Sequence, residues 1–329
     1  MSRTFVFNSA LAPYIRRLVE EKESTGSEAL RTKWILKEID DFATSYGLEE
    51  PVITKELIDA WRKTRINDCD STLYTKYSIW SQLGKLMCRC GISCYILRLP
   101  KQPESKFVPY IYTHEQITKL FDTCDNVVAF DRHYNTAAIM MPALLRLLYS
   151  TGLRISEALS LENRDIHHNE RYIHVRKSKN GCERILPICD SLDNVLLQYE
   201  SYRSRLPVGG LASPRHIYFV KLDGTSPAPG TICSCFHSLL RKCGIPYEGN
   251  HHGPRVHDLR HTMAVHSLAQ MVENGMDIYT GLPLLSACLG HKSLKATEQY
   301  VRLTFEYMPE LQRLCSPLNA FVYPHIVKP

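Results

Sequence analysis

The chain has 329 residues, 44% of them apolar, which suffices for two domains with buried cores and argues against a disordered chain. No run of eighteen apolar residues occurs, and Met1 to Ala10 lacks a charged start followed by an apolar stretch, so neither a membrane span nor a signal peptide is expected. The formal charge of +6 divides as +2 over residues 1–105 and +4 over the rest, a mild basicity that permits a nucleic-acid partner without requiring one.

The first hundred residues carry helical periodicity. Residues 11–22 form a short amphipathic stretch, and residues 27–46 repeat Leu30, Trp34, Ile35, Ile39 and Phe42 near the helical period, with Gly47 as the stop. Thr54 is placed to cap a helix over residues 54–63. Leu73, Tyr77, Trp80, Leu83 and Leu86 mark a fourth helix over residues 71–90. A four-helix bundle over residues 1–105 follows. Pro100, Pro103 and Pro109 among polar neighbours read as a linker, with the second domain at 106–329.

The second domain reads as mixed. Helices are expected over residues 114–123 and 135–150, the latter stopped by Gly152. Residues 172–175 and 184–188 read as strands of a hairpin with Asn180-Gly181 at its turn, and residues 217–220 as a candidate third strand. Helices then follow over 230–243, 257–274, 282–289 and 294–303. The fold class is therefore mainly α with a small antiparallel β-sheet, an α+β domain behind a helical bundle. The twelve cysteines are scattered, and neither Cys88, Cys90 and Cys94 nor Cys233 and Cys235 have zinc-knuckle spacing. Free thiols in a reducing cytosol are expected, with no bound metal and no cofactor.

Four places concentrate polar groups that apolar helices do not need. Arg154 follows the helix-stopping Gly152 and precedes a new helix, where it is either a surface arginine or a guanidinium aimed into a cleft. Lys177 and Lys179 lie in the expected hairpin tip, just ahead of Asn180-Gly181, an ordinary place for lysine and also a good one for a group that must reach a phosphate. His257 and Arg260 are three apart and share a helix face, with His261 near the same side; imidazole beside guanidinium suits an anionic phosphate. His291 follows Gly290, and Tyr300 lies nine residues on in a helical pattern that would equally suit a core tyrosine.

Taken in order, TGLRISEAL, SKNGCERILPI, HDLRHT and LGHKSLKATEQYV resemble the tyrosine recombinase, or phage integrase, family over roughly residues 110–303. The resemblance implies a DNA-binding core-binding domain at 1–105 and a catalytic domain with a C-terminal tail at 106–329. It makes Arg154 and Arg260 phosphate clamps, Lys179 the hairpin lysine with Lys177 as alternative, His257 and His291 the two imidazoles, Tyr300 the nucleophile and Glu157 a supporting acid. The implied activity is site-specific recombination or integration of DNA, as in Xer-type, transposon or other mobile-element enzymes, through a 3′-phosphotyrosine. Alternatives are a topoisomerase-like or telomere-resolving enzyme of the same chemistry, or a non-catalytic DNA-binding accessory protein. The implied partners are double-stranded DNA, a homo-tetramer on two duplexes formed from a protein that is monomeric in solution, and accessory or partner recombinases, with no membrane. The implied location is cytoplasmic, with the nucleoid of a prokaryote. One departure is the longer stretch between Ala269 and Leu289, through Asn274 to Tyr279, which is expected to shift how the His291–Tyr300 segment docks. A second is that no small domain is expected ahead of the bundle. The tail after Tyr300, with Phe305, Tyr307, Met308, Leu311 and Leu314, is apolar enough to pack on its own domain or on a neighbour.

The chemistry explains the residue types. Two guanidiniums hold the non-bridging oxygens of an anionic phosphodiester and offset the charge that grows in the transition state. A free phenol has a pKa of about 10, so surrounding cations and a nearby imidazole must favour its ionised form. The 5′ oxygen leaves with a proton that a lysine can deliver. The covalent intermediate keeps the phosphodiester energy, so no nucleotide is consumed.

Overall fold

A computed structural model of the chain describes residues 5–24, 30–103, 107–127, 137–176, 183–245, 247 and 253–311. The chain divides into two compact units, residues 1–107 and 108–329. Among the described residues no helix is long and apolar enough to cross a membrane.

Unit one holds α1 (Ala12–Ser24), α2 (Leu30–Ser45), α3 (Lys55–Lys63) and α4 (Asp70–Arg89). Much of the expected helical periodicity is buried, since Ile35, Ile39, Trp80, Leu83 and Leu86 join Ile15, Leu36 and Trp61 in one core, whereas Leu30 and Trp34 are exposed. Each fully buried leucine or isoleucine contributes about 1.5–3 kcal/mol. Trp61 and Trp80 meet edge to face at 5.8 Å. The Thr54 hydroxyl accepts from the Leu57 amide, so it caps α3 as its position predicts. Asp40 is buried and satisfied, accepting from the backbone of Asn8 and Ser9 and from the Ser9 hydroxyl.

Unit two begins with α5 (His114–Asp125), capped by a reciprocal Thr113–Gln116 box. Next come α6 (Met141–Thr151), the short α7 (Ile155–Leu159), β1 (Ile166–His167), β2 (Tyr172–Val175) and β3 (Arg184–Pro187). The strands form an antiparallel sheet in the order β1-β2-β3, with Ile166 opposite Ile173, Ile173 opposite Leu186 and Val175 opposite Arg184. Ile173, Val175 and Leu186 face the core, and Ile185 faces out.

The expected third strand at 217–220 is corrected. The third strand is β1, and Ile217 makes only an isolated bridge to Glu162. Tyr218 and Phe219 are buried against Tyr199, whose hydroxyl takes the Val220 amide, so side-chain packing replaces a ladder there. Tyr199 belongs to α8 (Asp190–Arg203), a helix absent from the sequence reading. Leu192, Leu196, Tyr199 and Arg203 line its buried face at helical spacing.

The remaining helices are α9 (Pro229–Lys242), α10 (Asp258–Glu273), α11 (Ile278–Leu289) and α12 (Lys295–Tyr307). Helix α10 packs against α6, α11 and α12. Extra residues ahead of α11 form its first turn, which starts four residues earlier than expected because the Asp277 carboxylate accepts the Thr280 amide and caps it. Past α12, Leu311 is buried with the α10–α12 core and the Tyr307 hydroxyl accepts from the Ile111 amide, so the tail packs on its own unit this far. Leu314 lies outside the described residues.

Candidate active site

Two glycines prepare the site. Gly152 ends α6 and Gly290 ends α11, both left-handed at φ 63° and 65°, a conformation glycine adopts without strain. The chain reverses at each, leaving a helix C-terminus whose carbonyls need donors and carry partial negative charge. Arg260, on the first turn of α10, supplies both. Its guanidinium donates to the Gly152 carbonyl at 2.6 Å and to the Leu289 carbonyl at 2.6 Å. Only 2% of the residue is exposed, a burial that these charge-assisted bonds make tolerable. Burial and the nearby Arg154 push its pKa down to about 10, so it stays charged at neutral pH.

Arg154 stands at the start of α7. Its amide donates to Glu157 at 3.0 Å and its guanidinium to the same carboxylate at 2.8 Å. Glu157 is 1% exposed and is shared with Arg184, which donates at 2.8 Å and also reaches the Cys288 carbonyl at 2.8 Å. Burial opposes ionisation of Glu157, but the Arg184 and Arg154 bonds prevail and hold its carboxyl below the usual range. One buried acid thus orients two guanidiniums and ties α7 to β3 and the end of α11.

His291 follows the Gly290 turn. Its Nε2 lies 3.0 Å from Arg260 and its Nδ1 2.8 Å from the hydroxyl of Thr297, a fully buried residue on α12. Arginine only donates, so Nε2 accepts and the imidazole proton sits on Nδ1, directed at Thr297. Burial with Arg260, Arg154 and Arg184 nearby pushes its pKa down to about 4. His257, at the start of α10, is exposed at the rim, and desolvation of its inner edge with Arg260, Arg255 and Arg154 lowers it to about 4.

Tyr300 is 1% exposed, on the buried face of α12. Its ring lies parallel to that of His291 at 6.4 Å, and its hydroxyl is 2.9 Å from Nδ1 of His261. Burial raises the phenol pKa, while Arg260 and Arg154 pull it back. Arg154, His257, Arg260, His261, His291, Tyr300, Lys292 and Lys295 line one cleft of about 500 Å³.

The phage integrase family profile matches residues 111–307, which include all of these groups. The chain belongs to the phage integrase family, the tyrosine recombinases. It is 30% identical over 214 residues to tyrosine recombinase XerA of Pyrococcus furiosus, covering 65% of this chain and 64% of that one. It is 32% identical over 212 residues to tyrosine recombinase XerC of Chlamydia caviae, covering 64% and 58%. The match therefore spans less than two thirds of either relative. Among solved structures, a Tn1549 transposon integrase in complex with a circular intermediate DNA superposes with a TM-score of 0.60 at 16% identity, covering 87% of this chain and 94% of that one. At that identity the likeness is one of fold: mainly helical with a small antiparallel sheet.

Of the residues singled out from the sequence, Arg154, His257, Arg260, His291 and Tyr300 converge on the cleft, with Glu157 behind it. Lys179 and Lys177 lie outside the described residues. Three groups escaped the sequence reading. In the sequence His261 stands out only as a neighbour of His257, yet its Nδ1 lies 2.9 Å from the tyrosine hydroxyl. Arg184 shares the buried face of β3 with Leu186, and an arginine in that register was a readable sign of a buried partner. Thr297, one turn before Tyr300, orients His291.

Proposed function

We propose that this chain is a site-specific DNA recombinase that cuts and rejoins strands through a 3′-phosphotyrosine at Tyr300. The observation that carries the reading is the convergence of Arg154 and Arg260 with the Tyr300 hydroxyl in one cleft, with imidazoles held neutral beside them. An anionic phosphodiester seated between the two guanidiniums exchanges water for fixed donors that strengthen as charge develops at phosphorus. His291, as a neutral imidazole bonded to Arg260, holds that guanidinium in place. Tyr300 attacks phosphorus, and Lys179 gives the 5′ oxygen its proton. Residues 1–105 act as a DNA-binding domain, with duplex contacts mainly to phosphates and a few base contacts that choose the site. Strand exchange joins four protomers and two duplexes, on the DNA of a prokaryotic cytoplasm.

Covalent capture tests this. The full chain is incubated with a partly randomised, nicked duplex pool in EDTA and run on a denaturing gel beside Tyr300→Phe. A metal-independent adduct that disappears in the variant is the expected result. An adduct that survives in Tyr300→Phe overturns the assignment of the nucleophile. DNA binding on a native gel with no adduct favours a DNA-binding protein without strand cleavage.

A further inference from the structure

Arg154 and Arg260 must meet one phosphate together, and a ring of polar links holds their spacing. The Gly152 carbonyl accepts from Arg260 at 2.6 Å, and Arg260 donates on to the Leu289 carbonyl at 2.6 Å. The neighbouring carbonyl of Cys288 accepts from Nε of Arg184 at 2.8 Å, and the far end of that guanidinium donates to Glu157 through Nη2 at 2.8 Å. Glu157 accepts in turn from the Arg154 guanidinium at 2.8 Å. Arg154 follows Gly152 closely in the chain, and this closes the ring. The last two carbonyls of α11 are thus each taken by an arginine, one from α10 and one from β3.

Resting on the recombinase reading above, we propose that Arg184 is a positioning residue for strand cleavage: it fixes the spacing of the Arg154 and Arg260 guanidiniums without touching the phosphate. Its side chain is 8% exposed and lies behind the cleft instead of lining it. It opens β3, opposite Val175, on the same face as the buried Leu186. An apolar residue would suit that register, as Leu186 does; what the guanidinium adds is the link from α11 to α7. Arginine can make that link because its planar fork offers Nη atoms to a carboxylate and Nε to a carbonyl at once, whereas a lysine ammonium donates from a single point. Gly290 completes the fit. A Cβ there would stand 2.9 Å from Nη1 of Arg184, so the guanidinium packs against the bare backbone of the turn that leads into His291.

Removing this side chain opens the ring between Cys288 and Glu157. Arg154 keeps Glu157 as a partner, but Glu157 loses its hold on the end of α11. The backbone from Gly152 to Arg154 is then the one remaining link of the ring between the two guanidiniums. A displacement of about 1 Å at a group that meets the reacting phosphate is enough to slow the reaction by about 100-fold. The loss should follow the charge of the diester. A guanidinium out of place stabilises less of the charge on the non-bridging oxygens, so a diester that carries one charge fewer loses less.

The test uses the full chain under single-turnover conditions and two nicked duplexes of the sequence recovered by covalent capture. One has an ordinary phosphate at the scissile position and the other an uncharged methylphosphonate. Arg184→Met is expected to bind the ordinary duplex within about threefold of the parent and to form adduct about 100-fold more slowly. On the methylphosphonate the loss is expected to shrink to about tenfold or less, because less charge is left for the clamp to meet. Arg184→Lys keeps a positive charge beside Glu157 but not the fork, and is expected to lose about tenfold on the ordinary duplex and about threefold or less on the other. It carries the comparison if Arg184→Met does not fold. Adduct formation by Arg184→Met within about threefold of the parent overturns the proposal. An equal loss on both duplexes also overturns it, since Arg184 would then serve the fold alone. Should the parent form no adduct on the methylphosphonate, a double-mutant cycle with Arg154→Lys on the ordinary duplex decides. Adding Arg184→Met to that variant is expected to slow it by less than about threefold more, and a further loss of about 100-fold overturns the proposal. No adduct from the parent on the ordinary duplex would instead overturn the recombinase reading, and this assignment with it.

Discussion

Replacing Glu157 by glutamine tests how the cleft is held together. The carboxylate is 1% exposed and accepts from the Arg154 amide, the Arg154 guanidinium and the Arg184 guanidinium at 2.8–3.0 Å. Glutamine is nearly isosteric but brings one acceptor oxygen, a donor group facing other donors, and no charge. Arg184, itself 8% exposed on its side chain, then lacks its counter-ion. Removing one member of a buried ion pair costs about 3–5 kcal/mol, and the remaining amide oxygen puts the expectation near the lower end, about 3 kcal/mol. In a domain of this size each kcal/mol moves the midpoint by about 2–4 °C, so Tm should fall by roughly 6–12 °C. Differential scanning calorimetry of the full chain measures it. The pH dependence has a definite sign. The Glu157 carboxyl is held below its ordinary value of 4.5 in the folded state, so its contribution is present above that value and lost as pH falls through the folded one. The gap between parent and variant should therefore close on acidification. Combining Glu157→Gln with Arg184→Met should recover much of the loss, because it removes the orphaned cation. A Tm drop under about 2 °C at neutral pH would refute this account of the cleft.

Three further outcomes are expected. Gly152→Ala forces a left-handed alanine, at about 1–2 kcal/mol, and drives a methyl into Met263 and Leu289, the latter at 2.9 Å; urea unfolding should show a loss of about 2–5 kcal/mol, and adduct yield should drop further as Arg260 shifts. Thr297→Val keeps the shape but strips the acceptor from His291 Nδ1–H, so a loss of about 1–2 kcal/mol with slower adduct formation is expected from parallel melting and capture assays. For His168, burial works against protonation, but bonds to Glu200 and Asp193 outweigh it and raise its pKa above 6.5. Its stabilisation is complete below 6.5 and fades as pH rises through the folded value, so the Tm gap between parent and His168→Gln should be larger at about pH 6 than at about pH 9.

The helices were legible where one face is apolar at the helical period, because that pattern is also what buries them. Trp61, Trp80, Leu83 and Leu86 announce unit one in this way. Helix α8 was harder to see because its buried face mixes Leu192 and Leu196 with Asp193 and Arg203, which spreads polar residues around the whole circumference. The misplaced third strand has a related cause. Tyr218, Phe219 and Val220 are as apolar as a strand, but their packing against Tyr199 is a tertiary choice that local pattern does not encode. In the site, motif order picked out the residues that would face a phosphate. It said little about those that face one another: Thr297 bonds His291 across the turn into α12, and Arg184 reaches Glu157 from another element, contacts that only the fold makes.

Charge shows why that distinction matters. The whole chain carries only +6, which by itself identifies nothing. At and behind the cleft, Arg154 and Arg184 share the single carboxylate of Glu157 while Arg260 stands close by, leaving a concentrated positive excess. Such an excess is tolerated because helix-terminal carbonyls absorb part of it at Arg260 and because His257, His261 and His291 are driven to their neutral forms. On the reading proposed above, a phosphodiester between Arg154 and Arg260 offsets that excess.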